Sequence, residues 1–143
     1  MQIPDVNVYI YAFREEMPNH EAYRGWLAAR LNGIEPFGTS SVALSGFLRL
    51  VTNPRVFRDP SPLDRALAFA DAVHTAPGSV PVEPGAAHWG IFTGFCRVAQ
   101  ARGGLIPDAW FAALAVEHGC EWVTADRDYS RFPGLRLRHP LDG

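Results

Sequence analysis

The stretch IPDAWFAALAVEHGCEWVTADRDYS, in the last third of the chain, limits most what this protein can fold into. Pro107-Asp108 opens a predicted helix that runs to His118. Gly119 ends it, because glycine accepts the left-handed backbone of a helix stop. Trp122-Val123-Thr124 then reads as a short strand of aromatic and β-branched residues, and the acid-rich turn TADRD follows at once. A helix that returns the chain to a short strand is the repeating unit of α/β proteins.

The rest of the sequence repeats that alternation. Met1 to Pro4 is a very short apolar run that reaches Asp5. Val6 to Phe13 is apolar and fits strand or helix equally. Helices are predicted over Glu21–Asn32, closed by Asn32-Gly33, and over Val42–Thr52, stopped by Asn53-Pro54. A further helix begins at Ser61-Pro62-Leu63-Asp64, with Ser61 as a candidate cap, and runs to Thr75. The longest helix is expected over Ala86–Arg102. Val80–Val82 and Leu135–Leu137 read as strands, with Pro81 requiring a sheet edge. A chain of 143 residues has the size of one domain, so residues 1–143 are expected to form one.

All 13 cationic residues are arginine, and the net charge is −2. The balance lacks the overall basic character of many DNA-binding proteins, while arginine suits bidentate phosphate contacts. Arg49, Arg55, Arg58 and Arg65 form one arginine-rich stretch, and Arg127, Arg131, Arg136 and Arg138 another. Cys96 and Cys120 show neither zinc spacing nor a disulfide framework. The five histidines form no HExxH pair. No apolar run approaches the ~20 residues of a membrane span, and MQIPDVNVYIYAF lacks a basic secretion-signal start. A cytoplasmic location without membrane contact is expected.

The acids carry the chemistry. In open parallel α/β sheets, ligands bind beyond the carboxyl ends of the strands. Asp5 follows the first run, Asp126 and Asp128 follow the Trp122 strand, and Asp108 opens the helix before it. Their joint placement predicts one cleft. Clustered carboxylates repel one another, and a hard divalent cation such as Mg²⁺ or Mn²⁺ is the usual compensation. Such a site suits hydrolysis of a phosphodiester.

Three segments, PDVNVYIYAF, SGFLRLVTNPRVF and IPDAWFAALAVEHGCEWVTADRDYSRFPGLRL, resemble the PIN-domain family, and within it the VapC-type toxins of bacterial toxin–antitoxin pairs. The resemblance spans nearly the whole chain, with Tyr129 where phenylalanine is common. It implies a three-layer α/β/α domain with a short, mainly parallel central sheet. It implies a Mg²⁺- or Mn²⁺-dependent endoribonuclease with Asp5, Asp108 and Asp126 as metal ligands and Asp128 as an outer or water-mediated contributor. Asn7 would orient Asp5, and Thr124 would serve as a hydroxyl donor. A homodimer silenced by a VapB-type antitoxin is implied as well. Arg127, set between two candidate site acids, is the favoured RNA phosphate contact.

The sequence departs from the family at Gly46, which precedes Phe47-Leu48 where many relatives carry a glutamate. The expectation is a reduced site with one tightly held ion, helped by water at Ser41 or Ser45. Two alternatives stand beside the toxin: a housekeeping PIN nuclease in RNA maturation, and a catalytically inactive RNA-binding PIN module. A receiver-type phosphoacceptor needs a late lysine, and this chain has no lysine.

Overall fold

The computed structural model describes residues 1–142. Helices α1 (Val6–Phe13), α2 (His20–Leu31), α3 (Ser41–Val51), α4 (Leu63–His74), α5 (His88–Ala99) and α6 (Leu105–Glu117) alternate with strands β1 (Gln2–Pro4), β2 (Phe37–Thr39), β3 (Ser79–Pro81), β4 (Glu121–Val123) and β5 (Arg136–Arg138). A 3₁₀ turn over Arg127–Arg131 follows β4. All the strand pairings are parallel: β1 with β4, β4 with β5, and β2 with β3. The expected α/β fold with short parallel strands is what forms. Its strands make two ladders, β1-β4-β5 and β2-β3.

The two ladders meet at Gly38. A Cβ there would lie 2.7 Å from Ile3 Cγ1 and 2.9 Å from Val82 Cγ2. Only glycine lets β2 lie this close to β1. Pro81 sits on β3 at the end of its ladder, the position a residue without an N–H requires.

Residues 6–13 resolve as a helix because Asp5 caps them. Its backbone is extended, and its carboxylate accepts the Val6 N–H. Val8, Tyr9, Ile10 and Ala12 are then buried. Ser40 caps α3 in the same way by accepting the Ala43 N–H at 3.2 Å. Helix α6 buries Ala109 and every residue from Phe111 to Ala115, and its alanines let it pack closely on α5 and β4. Helices α1, α2, α3 and α4 form a second packed group.

Several boundaries differ from expectation. Helix α5 spans only His88–Ala99, and Gln100 takes the left-handed turn (φ 49°) expected of the glycines beyond it. The loop before it is pinned because Glu117 accepts the N–H groups of Gly85 and Ala87. Ser61 does not cap α4, since Pro62 occupies that position and the Ser61 hydroxyl accepts from Arg14 at 3.0 Å. Asn32 closes α2 in a right-handed conformation (φ −94°), whereas Gly119 is left-handed as expected (φ 65°). Among the described residues no helix is long and apolar enough to cross a membrane.

Candidate active site

The site is built where β1 and β4 end side by side. Their register pairs Pro4 with Val123, so Asp5 and Thr124 leave the sheet together. The Asp5 N–H continues the ladder by donating to the Val123 carbonyl at 2.8 Å. Asp5 is buried, with 5% of its surface exposed. Its Oδ1 accepts from Val6 N at 2.6 Å, and its Oδ2 accepts from Thr124 Oγ1 at 2.7 Å and Asn7 Nδ2 at 3.4 Å. Asn7 also holds the turn after β4, accepting from Ala125 N at 3.2 Å and donating to Thr124 Oγ1 at 3.1 Å.

The other acids arrive from two further elements. Asp108 lies in the first turn of α6, half-buried, and its Oδ1 accepts from the Tyr129 hydroxyl at 3.2 Å. Asp126 caps the 3₁₀ turn through Oδ1, which accepts from Asp128 N at 2.9 Å. Asp5, Asp108 and Asp126 line one cavity of about 400 Å³, with Ser45, Gly46 and Arg49 of α3 on its rim. Asp128 is exposed and lines a neighbouring cavity of about 720 Å³, which Asp108 shares. Three of the four expected acids therefore share one cavity, and the fourth adjoins it through Asp108.

Burial raises the Asp5 carboxyl from 3.8 to about 6; the hydrogen bonds from Thr124 and Val6 oppose the rise, and the charges of Asp108 and Asp126 add to it. Asp108 is also raised, first by burial, against the Tyr129 hydrogen bond, and further by Asp126 and Asp128. The Tyr129 phenol is raised by burial and by Asp5 and Asp108, so it remains a neutral donor.

Among the described residues, no three acidic, histidine or cysteine side chains stand close enough together to hold an ion as placed. The donor set still fits a hard cation. It is all oxygen, and Asp108 and Asp126 each commit one oxygen to a hydrogen bond, leaving the other without a partner among the described residues. Mg²⁺ needs only a few carboxylates and completes its shell with water and substrate oxygens.

Other expectations resolve as follows. At Gly46 a Cβ would lie 3.2 Å from Val6 Cγ2, so the first turn of α1 crowds the position where the family resemblance implies an acid. Ser41 is turned to Glu83, donating to Oε1 at 3.3 Å, while Ser45 faces the cavity. Arg127 is exposed and lines neither cavity, whereas Arg49 lines one and Arg102 and Arg131 line the other. Sequence reasoning named Arg49 only as part of an arginine-rich stretch; the structure singles it out on the cavity, one helical turn beyond Gly46, a spacing that shares a face. Sequence reasoning missed Tyr129, whose ring looks like a core residue until its hydroxyl is seen on Asp108.

A PIN-domain family model matches residues 3–135. Ribonuclease VapC43 of Mycobacterium tuberculosis is 43% identical over 139 residues, covering 97% of this chain and 95% of the relative. Ribonuclease VapC25 of the same organism is 42% identical over 142 residues, covering 99% and 100%. Among solved structures, VapBC2 from Rickettsia felis bound to a promoter DNA fragment superposes with a TM-score of 0.68 at 15% identity, covering 96% of this chain and 97% of the other. FitAB bound to the IR36 DNA fragment gives 0.66 at 17% identity, covering 98% and 95%. At such identities the structural likeness speaks for the fold.

Proposed function

Because the chain belongs to the PIN-domain family and, within it, to the VapC ribonucleases, we propose that it is the endoribonuclease toxin of a VapBC-type toxin–antitoxin pair. One observation supports the chemistry above all. A buried carboxylate, Asp5, is held by three donors at the end of two parallel strands and shares a cavity with Asp108 and Asp126. Keeping an ionised acid there at neutral pH costs stability, because burial penalises its charged form.

In this reading Asp5, Asp108 and Asp126 hold Mg²⁺ or Mn²⁺. The bound ion supplies the Lewis acidity that makes water nucleophilic near neutral pH and offsets charge on the phosphodiester. Val6 N, Thr124 and Asn7 fix the Asp5 carboxylate, and Tyr129 fixes Asp108. Asp128, exposed beside Asp108, orients the attacking water and takes its proton. With Gly46 in place of an acid, Asp5, Asp108 and Asp126 would hold a single ion, leaving it open to a substrate phosphate.

A VapB-type antitoxin and a second copy of the chain are the protein partners in this reading. Trp89, 69% exposed at the start of α5, gives that helix an apolar contact for one of them. The deciding assay compares RNA cleavage by the parent and Asp5→Asn in Mg²⁺ or Mn²⁺. Cleavage by the parent alone supports the assignment, and equal cleavage by both overturns it. Growth arrest on expression, relieved by the antitoxin, supports the toxin; harmless expression of an active enzyme points to RNA maturation instead.

A further inference from the structure

We propose that a single strand of RNA crosses the acids along a two-cavity groove, held by Arg49 on one side of Asp108 and by Arg102 and Arg131 on the other. The inference rests on the nuclease reading and adds the path of the substrate to it.

Asp108 lines both cavities, so they adjoin at that residue. Arg49 stands on α3 at the rim of the smaller one. Arg102, in the turn between α5 and α6, and Arg131, at the end of the 3₁₀ turn, stand on the larger one. Three separate segments thus bring cations to two cavities that share Asp108. Electrostatics gives them a task. The chain carries a net charge of −2, and its centre gathers carboxylates, so a polyanion is repelled unless local cations offset the field.

These arginines are also uncommitted, in contrast to others. Arg14 lies over Phe57 at 4.1 Å and donates to Ser61. Arg30 lies over Trp26 at 4.0 Å and donates to Gln2. Arg138 donates to Glu121 at 3.1 Å. The side chains of Arg49 and Arg102 have no hydrogen-bond or ion-pair partner among the described residues. Arg131 meets only exposed Asp128 at 4.0 Å, a surface contact worth little and readily exchanged for a phosphate. Cavities of about 400 and 720 Å³ are the size of small-ligand pockets. An unpaired strand is the occupant assigned to this groove, in keeping with recognition of RNA through splayed single strands.

The test is fluorescence anisotropy on the Asp5→Asn background, with a short labelled oligouridylate, across a salt series. Each lost phosphate contact should reduce the slope of log K against log salt by ~0.7 for a single strand. Arg102→Gln with Arg131→Gln should lower the slope by ~1.4 and weaken binding about tenfold at low salt, and Arg49→Gln should lower it by ~0.7. The paired lysine substitutions should keep most of the slope, because charge is retained. Arg24→Gln, on α2 beside Glu21, should change neither quantity. An unchanged slope in the glutamine variants, while the parent cleaves RNA, overturns the path and leaves the nuclease standing. Equal binding of a fully paired RNA duplex overturns the single-strand assignment. A parent that cleaves no RNA in Mg²⁺ or Mn²⁺ overturns the nuclease reading and this path with it.

Discussion

Thr124 donates its hydroxyl hydrogen to Asp5 Oδ2 at 2.7 Å, tying the end of β4 to the end of β1 across 119 positions of sequence. Thr124 Oγ1 in turn accepts from Asn7 Nδ2 at 3.1 Å and from Asp126 N at 3.0 Å. One hydroxyl therefore organises two site acids. It also opposes the burial that lifts Asp5 to about 6. Thr124→Val keeps the shape and removes that opposition, so the Asp5 pKa should rise further. Because the metal-binding form is the ionised carboxylate, the acid limb of activity against pH at sub-saturating Mg²⁺ should move up by about one unit, the scale of one charge-assisted hydrogen bond. The loss should be larger at pH 6 than at pH 8. Thr124→Ser should restore the parental limb, and a valine variant with an unmoved limb would contradict this role.

Asp5 also links stability to pH. Its carboxyl sits near 3.8 when free and at about 6 in the fold, so the folded state favours the protonated form. That contribution is fully present below about pH 4 and is lost as pH rises through about 6. Two pKa units amount to about 3 kcal/mol. In chelator at pH 8, Asp5→Asn should melt at a higher temperature than the parent, and the gap should close toward pH 4. Added Mg²⁺ should narrow the gap at pH 8 by stabilising the parent alone. A parent more stable than Asp5→Asn at pH 8 in chelator would remove the case that this acid is kept for function.

Tyr129 is buried, with 1% of its surface exposed, and its ring packs 5.7 Å from that of Trp122. Its hydroxyl is the only donor to Asp108 among the described side chains, at 3.2 Å. Tyr129→Phe should therefore separate packing from positioning. The unfolding free energy should fall by no more than about 1.5–3 kcal/mol, the scale of one hydrogen bond to a charged acceptor, because the ring stays. RNA cleavage should fall about tenfold, as Asp108 loses both its orientation and the bond that lowers its pKa. A variant with parental kcat would make Tyr129 a core residue and no more.

Much of the site was legible because strand ends and helix starts are punctuated by composition. Asp5 after a short run, Asp108 after Pro107, and Asp126 after Trp122-Val123-Thr124 could be placed at one edge from local pattern alone. The identity of residues 6–13 was not legible. VNVYIYAF is apolar on every side, so its period decides nothing, and the capping bond from Asp5 that makes it a helix is visible only in three dimensions. Strands of three residues are likewise too short to show alternation, so the division into two ladders at Gly38 left no trace. The arginines illustrate the same limit. Arg127 looked best by adjacency in sequence, yet Arg49, Arg102 and Arg131 are brought to the cavities by the tertiary path of α3, the α5–α6 turn and the 3₁₀ turn.

Gly46 offers the sharpest test of the reduced site. A Cβ there would press Val6 Cγ2 at 3.2 Å, a strain that one rotation of a half-exposed valine in the first turn of α1 could relieve. Glycine inside a helix costs about 0.5–1 kcal/mol relative to alanine. The two effects oppose, so Gly46→Ala should shift stability by less than about 1 kcal/mol. Gly46→Glu combined with Val6→Ala should then be accommodated and bring a carboxylate to the cavity of Asp5, Asp108 and Asp126. Calorimetric titration with Mn²⁺ should show tighter binding than the parent, or a second equivalent, since another oxygen ligand joins the set. In chelator the same variant should be less stable at pH 8 than at pH 5, because a further negative charge meets acids already raised by burial and by one another. Unchanged Mn²⁺ affinity and stoichiometry in a folded double variant would show that position 46 does not face the ion, and that Gly46 leaves no vacancy in its shell.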